Sequence, residues 1–592
     1  MKYKNMLHYN FINISRTLSL FVLLQLCLTL PSSAQLRPLK ITSPRQDIVT
    51  VTQSTIYLQG TANPSGSLLM NGTPIKIYST GVFAAPIPLQ LGQNDVILKY
   101  SVGEDTLTRM LVITRTAPPK PKPTEGFAIE YIKILPEGEE VWLQEGDKLE
   151  VEMKATPGME ALFFKDIPMV EMDPAQVGVT GIYRGEYRIR STDQAKNQKI
   201  QFSIKDIRNN NKTLRKASDQ RLTLLTDQPT LVGISNKSRT GLSYGLGSDR
   251  LGGAKMGFVD SLVRFEITGK MQGMYRVRLS GQAQAYIDER DLDLLPGVQF
   301  SPRSLTGSWS VASDGKHDLV SIGLSQRLPY VSTMEENPAR IVVDIHGAAS
   351  NSNWITQREG LVAIKNVWYE QIGHDLFRAT IELKENEHWG YEIKYRGNSL
   401  TIRVKPKPED LRLRNLTIAV DAGHGGSNRG AVGMTGVLEK DLNLSMAKKV
   451  EALLLQRGAS VIMTRSDDTY TNNTQRLGFL KESDPDILIS IHCNAAGNPM
   501  AQGASTYYRH QAFRPLTQYI YDEMLELGLA DFGNVGGFNF TLNSPTEFPS
   551  VLVEVAFMSN PADEERLLNP DFHDEMAESI VRGLEKFLEN RK

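Results

Sequence analysis

Hydrophobic and polar positions change period once along the chain. From Leu36 to about Val404 the apolar residues come in short alternating runs separated by turn residues, the pattern of half-buried strands. After Leu416 the runs lengthen and alternate with a different spacing. Leu416-Thr-Ile-Ala-Val-Asp421 reads as a buried parallel strand that breaks into Ala422-Gly423-His424-Gly425-Gly426. Lys440 to Gln456 then places Leu442, Met446, Val450, Leu453 and Leu454 on one helical face, with Gly458 at its stop. Ser460–Thr464, Ile487–Ile491, Ala504–Tyr508 and Val551–Val555 predict further strands, the last of them central, and Phe513–Leu527 and Asp571–Leu588 predict helices. The last third is therefore expected to be an α/β domain with a mostly parallel sheet flanked by helices, preceded by several all-β domains.

The β-rich part divides at proline-rich punctuation. Residues 35–116 carry Thr55-Ile-Tyr-Leu-Gln-Gly60, Asn71-Gly72 and Asn94-Asp-Val-Ile-Leu98 and resemble bacterial immunoglobulin-like modules. Residues 117–125, with Pro118-Pro-Lys-Pro-Lys-Pro123, form a semi-rigid spacer. Residues 126–226 read as a second β domain. Residues 227–300, with Gly252-Gly253, Tyr275-Arg-Val-Arg-Leu279 and Ala285-Tyr-Ile-Asp288, resemble bacterial Src-homology-3-like barrels. Residues 316–406, through Val320–Leu324, Arg340–Asp344, Phe377–Ile381 and Ser399–Val404, look like the AMIN module that accompanies envelope amidases, which implies wall targeting. Lys405-Pro-Lys-Pro-Glu-Asp410 marks the join to the final domain, residues 412–592.

Composition narrows the compartment and the partners. At 592 residues the chain is too long for one core, and about 150 residues per domain suggests about four. A formal charge of −1 asks for neither nucleic acid nor an anionic membrane. Lys2, Lys4 and Arg16, the apolar run Leu18–Leu30 and Ser32-Ser-Ala34 read as a signal peptide over residues 1–34, too short for a stable membrane span. Export to the periplasm is expected. Cleavage would remove Cys27 and leave Cys493 alone, so no intramolecular disulfide can form.

The candidate chemistry sits where strands end. His424 and His492 each follow an apolar strand, and open α/β sheets build sites beyond the carboxyl ends of their strands. Glu439 opens the first helix, where the dipole favours a negative charge. Two histidines and a glutamate make a zinc set with a fourth position open for water. Taken singly, each is more often structural: a strand-end histidine is usually solvent-facing and a helix-start glutamate a cap. Glu554 differs, because a carboxylate inside Val551-Leu-Val-Glu-Val555 is costly to bury without a purpose.

Together Asp421-Ala-Gly-His424-Gly-Gly426, Gly436-Val-Leu-Glu439, Thr464-Arg465, Ser490-Ile-His492-Cys-Asn494 and Leu552-Val-Glu554 with Phe557-Met-Ser-Asn560-Pro561 resemble the zinc-dependent N-acetylmuramoyl-L-alanine amidases. The resemblance implies one zinc ion on His424, Glu439 and His492, with Glu554 as the catalytic carboxylate. Zinc would acidify its water and polarise the lactyl carbonyl, and Glu554 would pass the proton to the departing alanine amine. Peptidoglycan would be the substrate, in wall remodelling or daughter-cell separation, with a cell-division or envelope regulator as a further partner. Arg465 and Asn494 are candidates for orienting the site. Cys493 stands where the family commonly has alanine, and strand alternation points it away from His492. The loop Asp531–Gly537 lacks an arginine often found there, and the 61 residues between His492 and Glu554 leave no room for an inhibitory helical insertion. His510 and His573 are expected to be bland, His573 on a surface helix. A silent wall-binding scaffold, a zinc peptidase cutting within the stem peptide and a metal-independent adaptor are the rival readings.

Overall fold

Alternating strands need a second layer to cover their apolar faces, and the N-terminal modules supply it in pairs of sheets. The computed structural model describes residues 39–226, 230–247, 252–298 and 303–591. The expected signal peptide lies outside these residues. In the first module a three-stranded sheet (Lys40–Ser43, Thr55–Thr61, Val82–Pro88) faces a five-stranded one, closing a core of Leu58, Phe83, Leu98 and Leu111. The second β domain has its own core around Phe163, Phe202 and Ile204.

Two boundaries differ from the expected ones. The second β domain and the region expected to be a barrel are joined by antiparallel pairing of Trp142 with Lys270, so their strands run into one sheet. The region expected to be a barrel and the AMIN module also share a single apolar cluster, from Val259 and Phe265 to Trp309, Ile341 and Phe377. The strand Ser304–Ser313 lies ahead of the expected start at 316 and pairs with Asp318–Leu324, burying Trp309. Its polar-rich sequence, Ser-Leu-Thr-Gly-Ser-Trp, hides a strand that packs through Trp309 and Val311 while Leu305 stays exposed.

In the C-terminal domain six strands form one sheet: β1 (Thr417–Ala422), β2 (Ser460–Met463), β3 (Ile487–Asn494), β4 (Ala504–Tyr507), β5 (Asp531–Val535) and β6 (Ser550–Phe557). Their spatial order is β2-β1-β3-β6-β4-β5, and only the β4–β6 pairing is antiparallel. The five α-helices are α1 (Glu439–Gln456), α2 (Asn473–Ser483), α3 (Arg514–Leu525), α4 (Pro561–Leu567) and α5 (Pro570–Glu589). Helices α1, α3 and α5 cover one face through Ile418, Val420, Met446, Ile520 and Ile580. On the other face, α2 and the turn Thr541–Asn543 cover Ala419 and Leu488 through Leu477, Leu480, Leu542 and Phe548.

Asp531–Val535, read from the sequence as a loop, is an edge strand paired with β4; its charge and Gly533 weaken the strand signal without preventing edge pairing. His573 is buried, not on a surface: its Nδ1 lies 2.9 Å from Ser445 Oγ and its Nε2 2.7 Å from Leu567 O. The reason is that α5 packs against both α1 and α3, so two of its faces are interior.

Candidate metal centre

Register places the chemistry before any side chain is considered. In the parallel pairing of β3 with β6, His492 stands opposite Glu554, and Asp421 on β1 stands opposite Ser490 on β3. His424 follows two residues after β1 in a left-handed conformation, φ +62°, which a non-glycine residue adopts only when its surroundings hold it there. The surroundings do so. Arg476 on α2 donates to the His424 carbonyl oxygen and to Ala422 O, and Asn428 Oδ1 lies 3.0 Å from His424 Nδ1.

Glu439 is the first residue of α1, where it faces the strand ends. Its Oε1 lies 3.1 Å from His424 Nε2 and 3.1 Å from His492 Nδ1, and the three donor atoms all fall within 4.8 Å of one another. Its Oε2 accepts the Ala431 N–H at 2.7 Å, while Asn443 Nδ2, one helical turn on, reaches Oε1 at 3.3 Å. Burial alone would raise the Glu439 carboxyl, but hydrogen bonds from both imidazoles outweigh it and hold it well below the usual carboxylate range. The same bond acts in reverse on His492: burial would lower its imidazole, and Glu439 and Glu554 push it up to about 9.

The backbone makes room for this set. A Cβ on Gly423 would meet the His492 ring at 2.3 Å, and one on Gly430 would meet Glu439 Oε2 at 2.4 Å. Small residues are thus required on both sides of the donors. The three donors line a cleft of about 730 Å³, with Glu554, Asn494 and Tyr470 on its walls. A hard or borderline divalent cation fits two imidazoles and one carboxylate that converge in this way.

The comparisons with known proteins bear on the same segment. The N-acetylmuramoyl-L-alanine amidase family profile matches residues 418–586, and that of the AMIN domain matches residues 310–404. The chain is similar to the germination-specific N-acetylmuramoyl-L-alanine amidase of Bacillus subtilis (strain 168), 34% identical over 200 residues that span 31% of this chain and 83% of that one. It is also similar to the uncharacterized protein YqiI of the same organism, 33% identical over 180 residues, 30% of this chain and 86% of that one. The chain belongs to the N-acetylmuramoyl-L-alanine amidase family. Among solved structures, the catalytic domain of the amidase CwlV from Bacillus (Paenibacillus) polymyxa var. colistinus is 35% identical, covering 30% of this chain and 99% of that one with a TM-score of 0.28.

Within the amidase domain the remaining expected residues take distinct places. Arg465 is buried and spends its guanidinium on carbonyls, Ala422 O at 2.8 Å, Gly423 O at 3.0 Å and Lys440 O at 2.7 Å, so it ties the His424 loop to the start of α1. Asn494 Oδ1 accepts the Ala495 N–H at 2.8 Å on the cleft wall. Cys493 points into the core, where burial pushes its thiol up; only its backbone N–H reaches Glu439, at 3.3 Å. His510 is held by Ser544 O at 3.2 Å, and burial drives its imidazole down to about 4.

Sequence reasoning missed Arg476, Asn443 and the use made of Asp421. Asp421 is wholly buried, paired with Arg476 and bonded by Thr464 Oγ1 at 2.6 Å and Ser490 Oγ at 2.7 Å. A signal for Arg476 existed: Asn472 with Gln475 three residues on is a capping box, and it does start α2. Asn443 was visible as the i+4 neighbour of Glu439.

Proposed function

We propose that this chain is an exported zinc amidase that hydrolyses the amide between N-acetylmuramic acid and the L-alanine of the stem peptide in peptidoglycan. The observation that carries the reading is the convergence of His424 Nε2, His492 Nδ1 and Glu439 Oε1 within 4.8 Å, beside a buried glutamate. These three atoms would hold the ion. When bound, zinc supplies a Lewis acid that polarises the scissile carbonyl and acidifies water.

The protein's own residues account for the rest. Glu554, opposite His492 in register and on the same cleft, takes a proton from the attacking water as its oxygen bonds to the carbonyl carbon. As the carbon–nitrogen bond breaks, Glu554 returns that proton to the leaving alanine amine, so the products are a lactyl carboxylate and a free stem peptide. Arg465 and Arg476 act as positioning residues by fixing the carbonyls of Ala422, Gly423 and His424. Asn494 shapes the cleft wall. The AMIN module would hold the enzyme on the wall, and an envelope location on the periplasmic side, acting in wall remodelling or daughter-cell separation, suits that substrate. No helix among the described residues is long and apolar enough to cross a membrane.

The test is mass spectrometry of purified peptidoglycan digested with the full chain, beside Glu554→Gln and a chelator-treated sample. Free stem peptides beginning with alanine are expected, reduced about 10²–10⁴-fold by Glu554→Gln, whose metal content stays at the wild-type level. Cleavage inside the stem, or release unaffected by the chelator, would overturn the reading.

A further inference from the structure

Where the barrel, the AMIN module and the amidase domain meet, two arginines from different domains turn to one ring. The Arg239 guanidinium carbon, on the barrel, sits 3.6 Å from the Phe258 ring centroid, and that of Arg509, on the amidase domain, sits 5.7 Å from it. Each guanidinium carries five N–H donors. Arg239 donates to Ser544 Oγ, and Arg509 donates to Asn539 Oδ1 and to Lys255 O, both at 2.9 Å. These acceptors are all neutral.

The carboxylates at the junction are committed elsewhere. Glu547 is paired with Lys481, and Asp260 accepts the Tyr395 N–H at 2.6 Å. Among the described residues neither arginine makes an ion pair. Yet both line a small cavity of about 100 Å³, together with those two acids and Lys481. Both arginines are half-buried, positive charge partly withdrawn from water without a bonded counter-charge is costly, and a guanidinium fork matches a planar or tetrahedral oxyanion in geometry.

We propose that this junction is a binding site for a single oxyanion group, a carboxylate or a phosphate, distinct from the reaction cleft. Burial lowers both guanidinium groups, Arg239 to about 10, where Glu547 counteracts the burial in part and Arg509 adds to it; a bound anion relieves both effects. The cavity admits one such group and no more. The segment that supplies Asn539 and Ser544 also presents Phe540 and Thr541 to the reaction cleft, so the bound group would brace that wall from behind. A carboxylate could come from wall peptides and a phosphate from a phosphate-bearing polymer or free phosphate; the test separates them.

The full chain, stripped of metal by a chelator so that anions cannot collect at the metal centre, is titrated calorimetrically at constant ionic strength with sodium glutarate and, separately, with sodium phosphate. One saturable site is expected for at least one probe, with a dissociation constant near or below about 1 mM. Glutarate alone would assign carboxylates, and phosphate alone or the stronger of two would assign phosphate. Arg239→Gln and Arg509→Gln should each weaken binding at least tenfold. If either fails to fold, Arg239→Lys and Arg509→Lys, which keep the charge but lose the fork, should still weaken it severalfold. Absence of saturable binding with both probes, or equal affinity in the arginine variants, would overturn the proposal.

Discussion

Asp421 shows how much of the site rests on a residue with no surface open to solvent. Its carboxylate is wholly buried and meets Arg476, Thr464 and Ser490, while Arg476 in turn grips the carbonyls of Ala422 and His424. Burial by itself would raise the Asp421 carboxyl, and the Arg476 charge, with His492 and the hydrogen bonds from Thr464 and Ser490, together outweigh it and hold it below the ordinary carboxylate range. Removing one partner of a buried pair leaves an uncompensated charge, so Asp421→Asn should destabilise the amidase domain by about 3–5 kcal/mol. Trp389 packs into the amidase core against Phe587, away from Asp421, so its emission reports the join between modules, and hydrogen exchange along Ile487–Asn494 is the appropriate readout. Unchanged protection there would contradict the argument. Because the folded value is depressed, the contribution is complete above the unfolded carboxylate range near 4 and is lost only as pH falls through the lower folded value.

At the scale of elements, the centre depends on how closely the β1 loop approaches β3. Gly423 is the point of contact, since an added Cβ would overlap three atoms of the His492 ring. Gly423→Ala should therefore displace that imidazole and weaken zinc binding about 10–100-fold, the usual size of an effect on ligand orientation. Equilibrium dialysis against zinc, with hydrogen exchange as a check that the sheet persists, decides it; wild-type affinity would show that the ring moves freely. The sequence made the strands and helices around this loop legible, because apolar runs at Leu416–Val420 and Ile487–Ile491 and helical spacing after Lys440 are strong periodic signals. His424 and His492 could be picked out because each comes after such a run, Glu439 because it opens the helix, and Glu554 because it interrupts a run. The capping box at Asn472 and Gln475 marks where α2 starts, but nothing in the sequence shows that Arg476 folds back on a buried aspartate. The close approach at Gly423 was equally hidden, since a glycine pair after a strand announces a turn and not what lies against it. His573 was misplaced for a related reason: helical periodicity tells of one apolar face, while α5 buries two.

For the whole molecule, the joint between the AMIN module and the amidase domain is built from charge around Asp484. Arg403 reaches Asp484 Oδ2 at 3.0 Å, His317 Nε2 lies 3.4 Å from the same oxygen, and Lys405 spans Pro485 O at 2.7 Å and Asp486 Oδ1 at 3.4 Å. Backbone contact supports the joint on a second front, where Tyr391 donates to Thr546 O at 2.8 Å and Gly390 passes so close to Glu547 O that no side chain would fit. Asp484 ends α2 in a left-handed conformation, φ +45°, which asparagine also tolerates, so Asp484→Asn removes the charge and keeps the turn. The pair is partly open to solvent, and the loss is expected to be about 1 kcal/mol. That is about a fivefold larger population of the undocked form, and tryptic cleavage after Arg412 and Arg414, which unlike Lys405 and Lys407 are not followed by proline, should quicken by the same factor when opening is fast. Raising the salt concentration should bring wild type and variant together, because the screened charges are the difference between them. Burial would raise the Asp484 carboxyl, but Arg403 and Lys405 keep it below its usual range, so the wild-type joint should hold down to about pH 4 and loosen as the pH falls further. Equal cleavage rates at low salt would mean that the backbone contacts at Tyr391 and Gly390 hold the modules together without help from these charges.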